Sequence, residues 1–211
     1  MIRIPRVGAA VAWICVIAVP VWAAGPNLVL GPEQVLRGEF EQQRHLVGFD
    51  TPLDSSGRFV VAGDLGVLWR TQYPFQFDLV ITPNGLLQIV PGEAPVEPLA
   101  SQAGVTEILG IFTDILGAGT ADRALDRFEI REKSGPGTVW SRILTPISAQ
   151  LAAQIETITI FGSGFVERVE VRRTSGDRDI LTFSNQGISD DPPTDEEIRL
   201  LTLTVGNTPS P

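Results

Sequence analysis

Ser56-Gly57-Arg58-Phe59-Val60-Val61-Ala62-Gly63-Asp64-Leu65-Gly66-Val67-Leu68-Trp69-Arg70 is the stretch that decides the fold class. Ser56-Gly57 opens an apolar run over 58–61, Gly63-Asp64 supplies a turn, and 65–70 runs back. In the return, Leu65, Val67 and Trp69 occupy alternate positions, the period of two expected when one face of a strand is buried. The pattern continues downstream. Tyr73-Pro74 breaks the run, then Phe75, Phe77, Leu79 and Ile81 alternate again. Pro83-Asn84-Gly85 is a turn signal before a further strand over 86–90. Four strands joined by short turns predict an antiparallel meander.

Working outward, 26–31 reads as a leader and 32–36 as a brief helix with Pro32 in its first turn. Strands begin at Gly38. On the other side, Pro91, Pro95 and Pro98 mark a loop over 91–104. The period then changes. Val105, Ile108, Leu109, Phe112, Ile115 and Leu116 share one helical stripe, and Gly117 and Gly119 end it. A further turn of helix is expected over 121–125. Strands resume over 128–133 and 139–144 around Gly135-Pro136-Gly137. A short helix over 147–154 precedes strands at 156–161, 165–173 and 179–183. Thr194-Asp195-Glu196-Glu197 has the form of a capping box for a last helix. The expected class is α+β: a strongly curved antiparallel sheet with short helices laid over its concave face, since an apolar sheet face must be covered or closed.

The first 23 residues form a separate unit. Arg3 and Arg6 precede an apolar run over 7–19, and Val21-Trp22-Ala23 places a small residue before a cut. That is the pattern of a secretory signal peptide, too short for a comfortable membrane span. Cys15 lies inside it, with Trp13-Ile14 too bulky for a lipidation signal. The expected organisation is a signal peptide over 1–23 and one domain over 24–211, with no membrane span after cleavage.

Of the 211 residues, 16 are basic and 25 acidic. Loss of Arg3 and Arg6 leaves 14 basic residues in 188, a net charge of −11. An acidic balance disfavours nucleic acid, whose binding depends on neutralising phosphates, and disfavours adsorption to anionic lipid. Cys15 is the only cysteine, so the remaining chain has no disulfide, thiolate metal site or cysteine nucleophile. His45 is the one histidine and Lys133 the one lysine. No Gly-x-Ser-x-Gly elbow, phosphate-cradling loop or zinc spacing occurs. The acidic run 190–197 lacks the alternating ligands and central glycine of a calcium loop. No catalytic residue, metal or cofactor is expected, and the chain is read as a non-enzyme.

Apolar surface remains. Phe40, Phe59, Trp69, Phe75, Phe77, Leu79 and Ile81 on the strands, with Ile108, Phe112 and Ile115 on the helical stripe, are the candidate lining of a cavity for acyl chains. Such a cavity would be mostly apolar, with few polar groups fixing orientation.

These elements also carry a resemblance. Gly38-Glu39-Phe40-Glu41-Gln42, Ser56-Gly57-Arg58-Phe59, Gly66-Val67-Leu68-Trp69, Tyr73-Pro74-Phe75, Pro83-Asn84-Gly85-Leu86 and Leu144-Thr145-Pro146 resemble, in order and spacing, the LolA-type outer-membrane lipoprotein carriers. The resemblance implies an incomplete β-barrel with a helical lid, located in the periplasm. It implies acyl-chain cargo from lipoproteins, taken from an inner-membrane release complex and passed to an outer-membrane acceptor. One departure stands out. The family's Arg-Pro pair after the strand at 58–61, whose arginine ties the lid shut, is replaced by Ala62-Gly63-Asp64. Arg58, Arg70 and Arg44 are the candidates to take its place. The chain thus resembles a divergent branch, whose cargo is a lipoprotein or another amphiphile such as a glycolipid. The rival expectation is an envelope module of the same fold that binds protein. An exported hydrolase would instead need His45 beside a serine and a carboxylate.

Overall fold

The computed structural model describes residues 30–31, 34–83, 85–96, 127–135 and 139–203. Ten strands run in chain order: β1 (Val35–His45), β2 (Leu53–Ala62), β3 (Gly66–Tyr73), β4 (Phe77–Thr82), β5 (Gly85–Ile89), β6 (Phe128–Ser134), β7 (Trp140–Pro146), β8 (Ile155–Gly162), β9 (Val166–Arg173) and β10 (Arg178–Ser189). Two helices are described, α1 (Ala149–Ala152) and α2 (Asp195–Leu201), with a 3-10 turn at Gly63–Leu65. All strands join one sheet in the order β5-β4-β3-β2-β1-β10-β9-β8-β7-β6, every neighbouring pair antiparallel. Laid flat, ten strands at ~4.8 Å spacing would span about 43 Å. Twist curls such a width, and among the described residues the architecture is an incomplete curved barrel, not closed, with few helices.

Alternation along paired strands defines two faces. Leu36, Phe40, Phe59, Val61, Val67, Ile81, Leu181 and Phe183 lie on one, here the inner face, in a cluster that continues through Val169, Ile160, Ile158, Leu144 and Phe128 at the far strands. Their neighbours in sequence, Val35, Val60, Ala62, Leu68, Val80 and Leu87, form a second buried cluster on the outer face. Strands β2 to β5 are therefore apolar on both sides. The outer cluster is closed by Leu200 and Leu201 of α2.

The seat of α2 is specified by charge as well as by burial. Thr194 and Glu197 make the expected capping box, each side chain meeting the other's backbone N–H. Glu197 also accepts from Arg37 on β1, at 2.8 Å to Oε2 and 3.3 Å to Oε1. Burial alone would raise the Glu197 pKa, but the Arg37 and Thr194 hydrogen bonds and the Arg37 charge outweigh it and hold it below the ordinary value. Glu196 takes a 2.8 Å bond from Arg70 on β3. Beneath that bond Asp78 is pushed up, chiefly by burial, with Arg70 opposing and Glu196 adding to the rise.

Several sequence expectations are corrected. Val35 and Leu36, expected at the end of a helix, begin β1 and pair with Ala62 and Val61. Both are fully buried, on opposite faces, and burial inside a sheet of this width outweighs the local preference set by Pro32. Residues 32–33 lie outside the described set. Leu65 belongs to the 3-10 turn and not to the strand face of Val67 and Trp69. The helix expected over 147–154 is shortened to Ala149–Ala152, capped by Ser148, because Ile155 already pairs in β8. Helices were expected over the concave face. Leu151 of α1 does join the inner cluster, but α2 lies on the outer face. The helical stripe over 105–116 and the turn over 121–125 lie outside the described residues.

Candidate functional site

The centre of the inner face is an aromatic quartet. Phe40 stacks on Trp69 with ring centroids 3.8 Å apart and 27° between planes. Phe59 lies 6.1 Å from Trp69 and meets Phe183 edge-on at 5.5 Å. The quartet depends on two glycines. In the β1–β2 register Gly38 faces Phe59 and Phe40 faces Gly57, so each ring lies over a position that has no side chain. A Cβ at Gly38 would come within 2.5 Å of the Phe59 ring. At Gly57 a Cβ would come within 1.9 Å of the Arg70 carbonyl oxygen and 3.0 Å of the Phe40 ring. The Gly-x-Phe spacing at 38–40, repeated at 57–59, is thus a cross-strand interlock.

The candidate residues separate by position. Phe40 and Phe59 are each 1% exposed, and Ile81 is also buried; these three are packed core. Trp69, Phe77 and Leu79 are half-buried. Leu79 pairs with Trp69 across β3–β4, Phe77 with Thr71, and Gln88 of β5 with Leu79. These side chains, with half-buried Leu86 beside Ile81, make an accessible apolar strip along one side of the sheet. Phe75 does not share that face. It is 78% exposed on the loop between β3 and β4, because the alternation begins only at Phe77. Ile108, Phe112 and Ile115 lie outside the described residues.

One polar cluster borders the aromatic centre. Phe40, Gln42 and Arg44 follow one another along the inner face of β1, opposite Phe183, Leu181 and Asp179 of β10. Asp179 is buried and accepts from Arg44 Nε at 2.7 Å, and from Arg173 at 3.1 Å through Nε and 3.0 Å through a terminal nitrogen. Gln42 reaches the same carboxylate at 3.5 Å and takes a hydrogen bond from Ser55 at 3.2 Å. Arg44 and Arg173 share the Asp179 carboxylate, with the charge of Asp177 also close to both guanidiniums, so the cluster is a charged polar border beside the apolar face. Sequence reading missed this cluster. Its signal is long-range: Arg44 and Asp179 are 135 positions apart and meet only through the pairing of β1 with β10.

The placement of the other reactive types is plain. His45 ends β1 and pairs with Arg178, not with a serine and carboxylate. Among the described residues no group of three or more His, Cys, Asp or Glu is arranged to hold a metal ion, and no helix is long and apolar enough to cross a membrane.

No known protein family matches the sequence, and no curated protein does. Solved structures do match. A LolA superfamily protein from Nitrosomonas europaea is 11% identical, covering 82% of this chain and 93% of its own, with a TM-score of 0.44. An outer membrane lipoprotein-sorting protein domain from Vibrio parahaemolyticus is 8% identical over the same shares, with a TM-score of 0.41. A DUF1329 family protein from Desulfovibrio piger is 10% identical over 72% of this chain and 84% of its own, with a TM-score of 0.33.

Arg58, Arg70 and Arg44, the three arginines singled out in the sequence, sort by face. Arg58 is on the outer face, 3.7 Å from Glu39. Arg70 is also outside, engaged with Glu196 and Asp78. Arg44 alone of the three is on the inner face.

Proposed function

We propose that this protein is an exported, non-enzymatic carrier that holds the acyl chains of a lipoprotein against the inner face of its sheet, moving them across the periplasm between the inner and outer membranes. One observation carries the reading. The inner face carries a continuous buried apolar cluster, flanked at one side by the accessible strip of half-buried Trp69, Leu79 and Phe77 and bordered by a polar cluster at Arg44, Asp179 and Arg173. An apolar strip with one polar border suits an amphiphile whose chains lie on the strip and whose head meets the arginines. Each methylene removed from water contributes about 0.8 kcal/mol, so even partial coverage of a long chain gives useful affinity. The order of motifs in the sequence supports the same reading, with an inner-membrane release complex as donor and an outer-membrane receptor as acceptor.

The packed aromatic quartet favours a second reading, an envelope module of the same fold that binds protein. Phe40 and Phe59 are already sealed, so part of the interior is filled.

Native mass spectrometry with lipid extraction, on protein purified from the periplasm, separates the two. Co-purifying acylated species that are lost in Phe77→Glu or Leu79→Glu, with circular dichroism unchanged, would support the carrier. A clean mass after incubation with lipoproteins and envelope lipids would overturn it in favour of the protein-binding module. A glycolipid in place of a lipoprotein would keep the carrier and change its cargo.

A further inference from the structure

Exposed apolar residues gather at one end of the sheet. Val47 and Phe49 on the loop between β1 and β2, and Tyr73 and Phe75 beside the loop between β3 and β4, are all more than half exposed. Both loops leave the same end, since β1 and β3 run parallel within the antiparallel order. Asp50, next to Phe49, is the one charged residue in the loops 46–52 and 74–76, in a chain that is 19% charged. Loop tips bearing phenylalanine, valine and tyrosine with a single charge between them are out of place facing water.

A row of basic side chains lies directly beneath them. His45, Arg178 and Arg172 are cross-strand partners on β1, β10 and β9. Like charges placed opposite one another destabilise a sheet, and neither arginine has an ion pair among the described residues. The Nε2 of His45 is buried and makes no hydrogen bond. Arg44 and Arg173, one rung inward on the other face, bring the local count to four arginines, and they enclose a buried Asp179. The nearby Asp177 accepts from the Val47 backbone at 2.9 Å and from Ser175, and its charge faces Arg173 and Arg44, leaving Arg172 and Arg178 as the arginines here without a carboxylate partner among the described residues. The Val47 bond also fixes the first apolar loop against the β9–β10 turn.

We propose that this end of the protein docks on an anionic lipid bilayer, the loop tips entering the interface while the Arg178–Arg172 pair meets the lipid phosphates. The dimensions agree. Val47 and Phe49 are two and four residues beyond His45, at most about 7–13 Å at ~3.3 Å per residue, comparable with the ~5–10 Å depth at which interfacial segments lie. The acidic balance of the chain argued against anionic lipid as an average. At physiological ionic strength a charge reaches only about 8 Å before screening, so the local row governs what the surface meets. This docking is independent of the acyl-chain reading: lipid co-purification tests one, vesicle binding the other.

The experiment is sedimentation with vesicles of phosphatidylcholine, with and without about 25% phosphatidylglycerol, using protein and variants purified identically so that any contribution of the N-terminal segment is common to all. The anionic vesicles should bind more tightly, and the difference should shrink as salt is raised. Arg172→Gln with Arg178→Gln should remove the preference for anionic lipid, about fivefold for each arginine. Phe49→Ser with Phe75→Ser should weaken binding to both vesicles by tenfold or more, about the loss expected for two exposed phenylalanines. All four residues are at least partly exposed, and unchanged thermal midpoints will show that the fold is intact. Equal binding to both vesicles, no binding to either, or an arginine variant that keeps its preference would overturn the proposal; no binding to either would assign the surface to a protein.

Discussion

Gly38→Ala tests the interlock at the centre of the inner face. The new methyl would lie 2.5 Å from Cζ and 2.6 Å from Cε1 of Phe59. Phe59 has nowhere to retreat, being held by Trp69 and Phe183 and 1% exposed. Overpacking of this kind costs about 1–3 kcal/mol. Shrinking the ring should restore the room. Phe59→Leu alone should cost about 1–2 kcal/mol, below the about 3–5 kcal/mol of truncation to alanine. The double variant should then be more stable than the sum of the single losses predicts, by about 1 kcal/mol or more. Gly57→Ala is the contrast. Its nearest obstacle is the backbone carbonyl of Arg70 at 1.9 Å, so Phe40→Leu should give it no comparable relief. Urea unfolding monitored by tryptophan fluorescence measures all of these. If Gly38→Ala and Phe59→Leu add to within about 0.5 kcal/mol, the interlock is not what Gly38 is for.

The outer face gives a pH prediction. The folded Glu197 pKa lies below the ordinary value of 4.5, so its contribution is present above that pH and is lost as pH falls through the folded value. Thermal midpoints should drop in the acid range, and Arg37→Ala should flatten that part of the profile; an unchanged profile would refute the pairing. Leu200→Ala should cost about 2–5 kcal/mol, because it opens a hole in the apolar patch under α2; a loss under about 0.5 kcal/mol would show that α2 does not close the outer cluster. Asp179→Asn should destabilise by about 1–3 kcal/mol, since it removes the shared partner of Arg44 and Arg173. Asp179→Asn with Arg173→Gln should recover part of that loss in urea unfolding, and an additive result would mean the three groups do not act together.

Local sequence was enough to locate most strands. Alternation in β3, β4 and β9 and the turns at Gly63-Asp64, Pro83-Asn84-Gly85 and Gly176-Asp177 are short-range features, set by the two-residue period and by which residues tolerate tight turns. The capping box at Thr194 is equally local, and the structure keeps it. What failed was whatever depended on a distant neighbour. Leu68 and Val80 looked like the solvent side of half-buried strands, yet they are sealed by α2 from more than a hundred residues away. Val35 and Leu36 became strand because β2 and β10 were there to pair with them. Of the candidate lining, composition identified apolar residues at strand positions. Only the register separated the sealed Phe40 and Phe59 from the accessible Trp69, Phe77 and Leu79, and placed Phe75 on a loop. The Arg44–Asp179–Arg173 cluster and the His45–Arg178–Arg172 row had no sequence signature, because each joins the first strand to the last two. Periodicity along the chain determines which face a residue takes; which residues share that face is decided by strand order, and strand order is a property of the folded sheet.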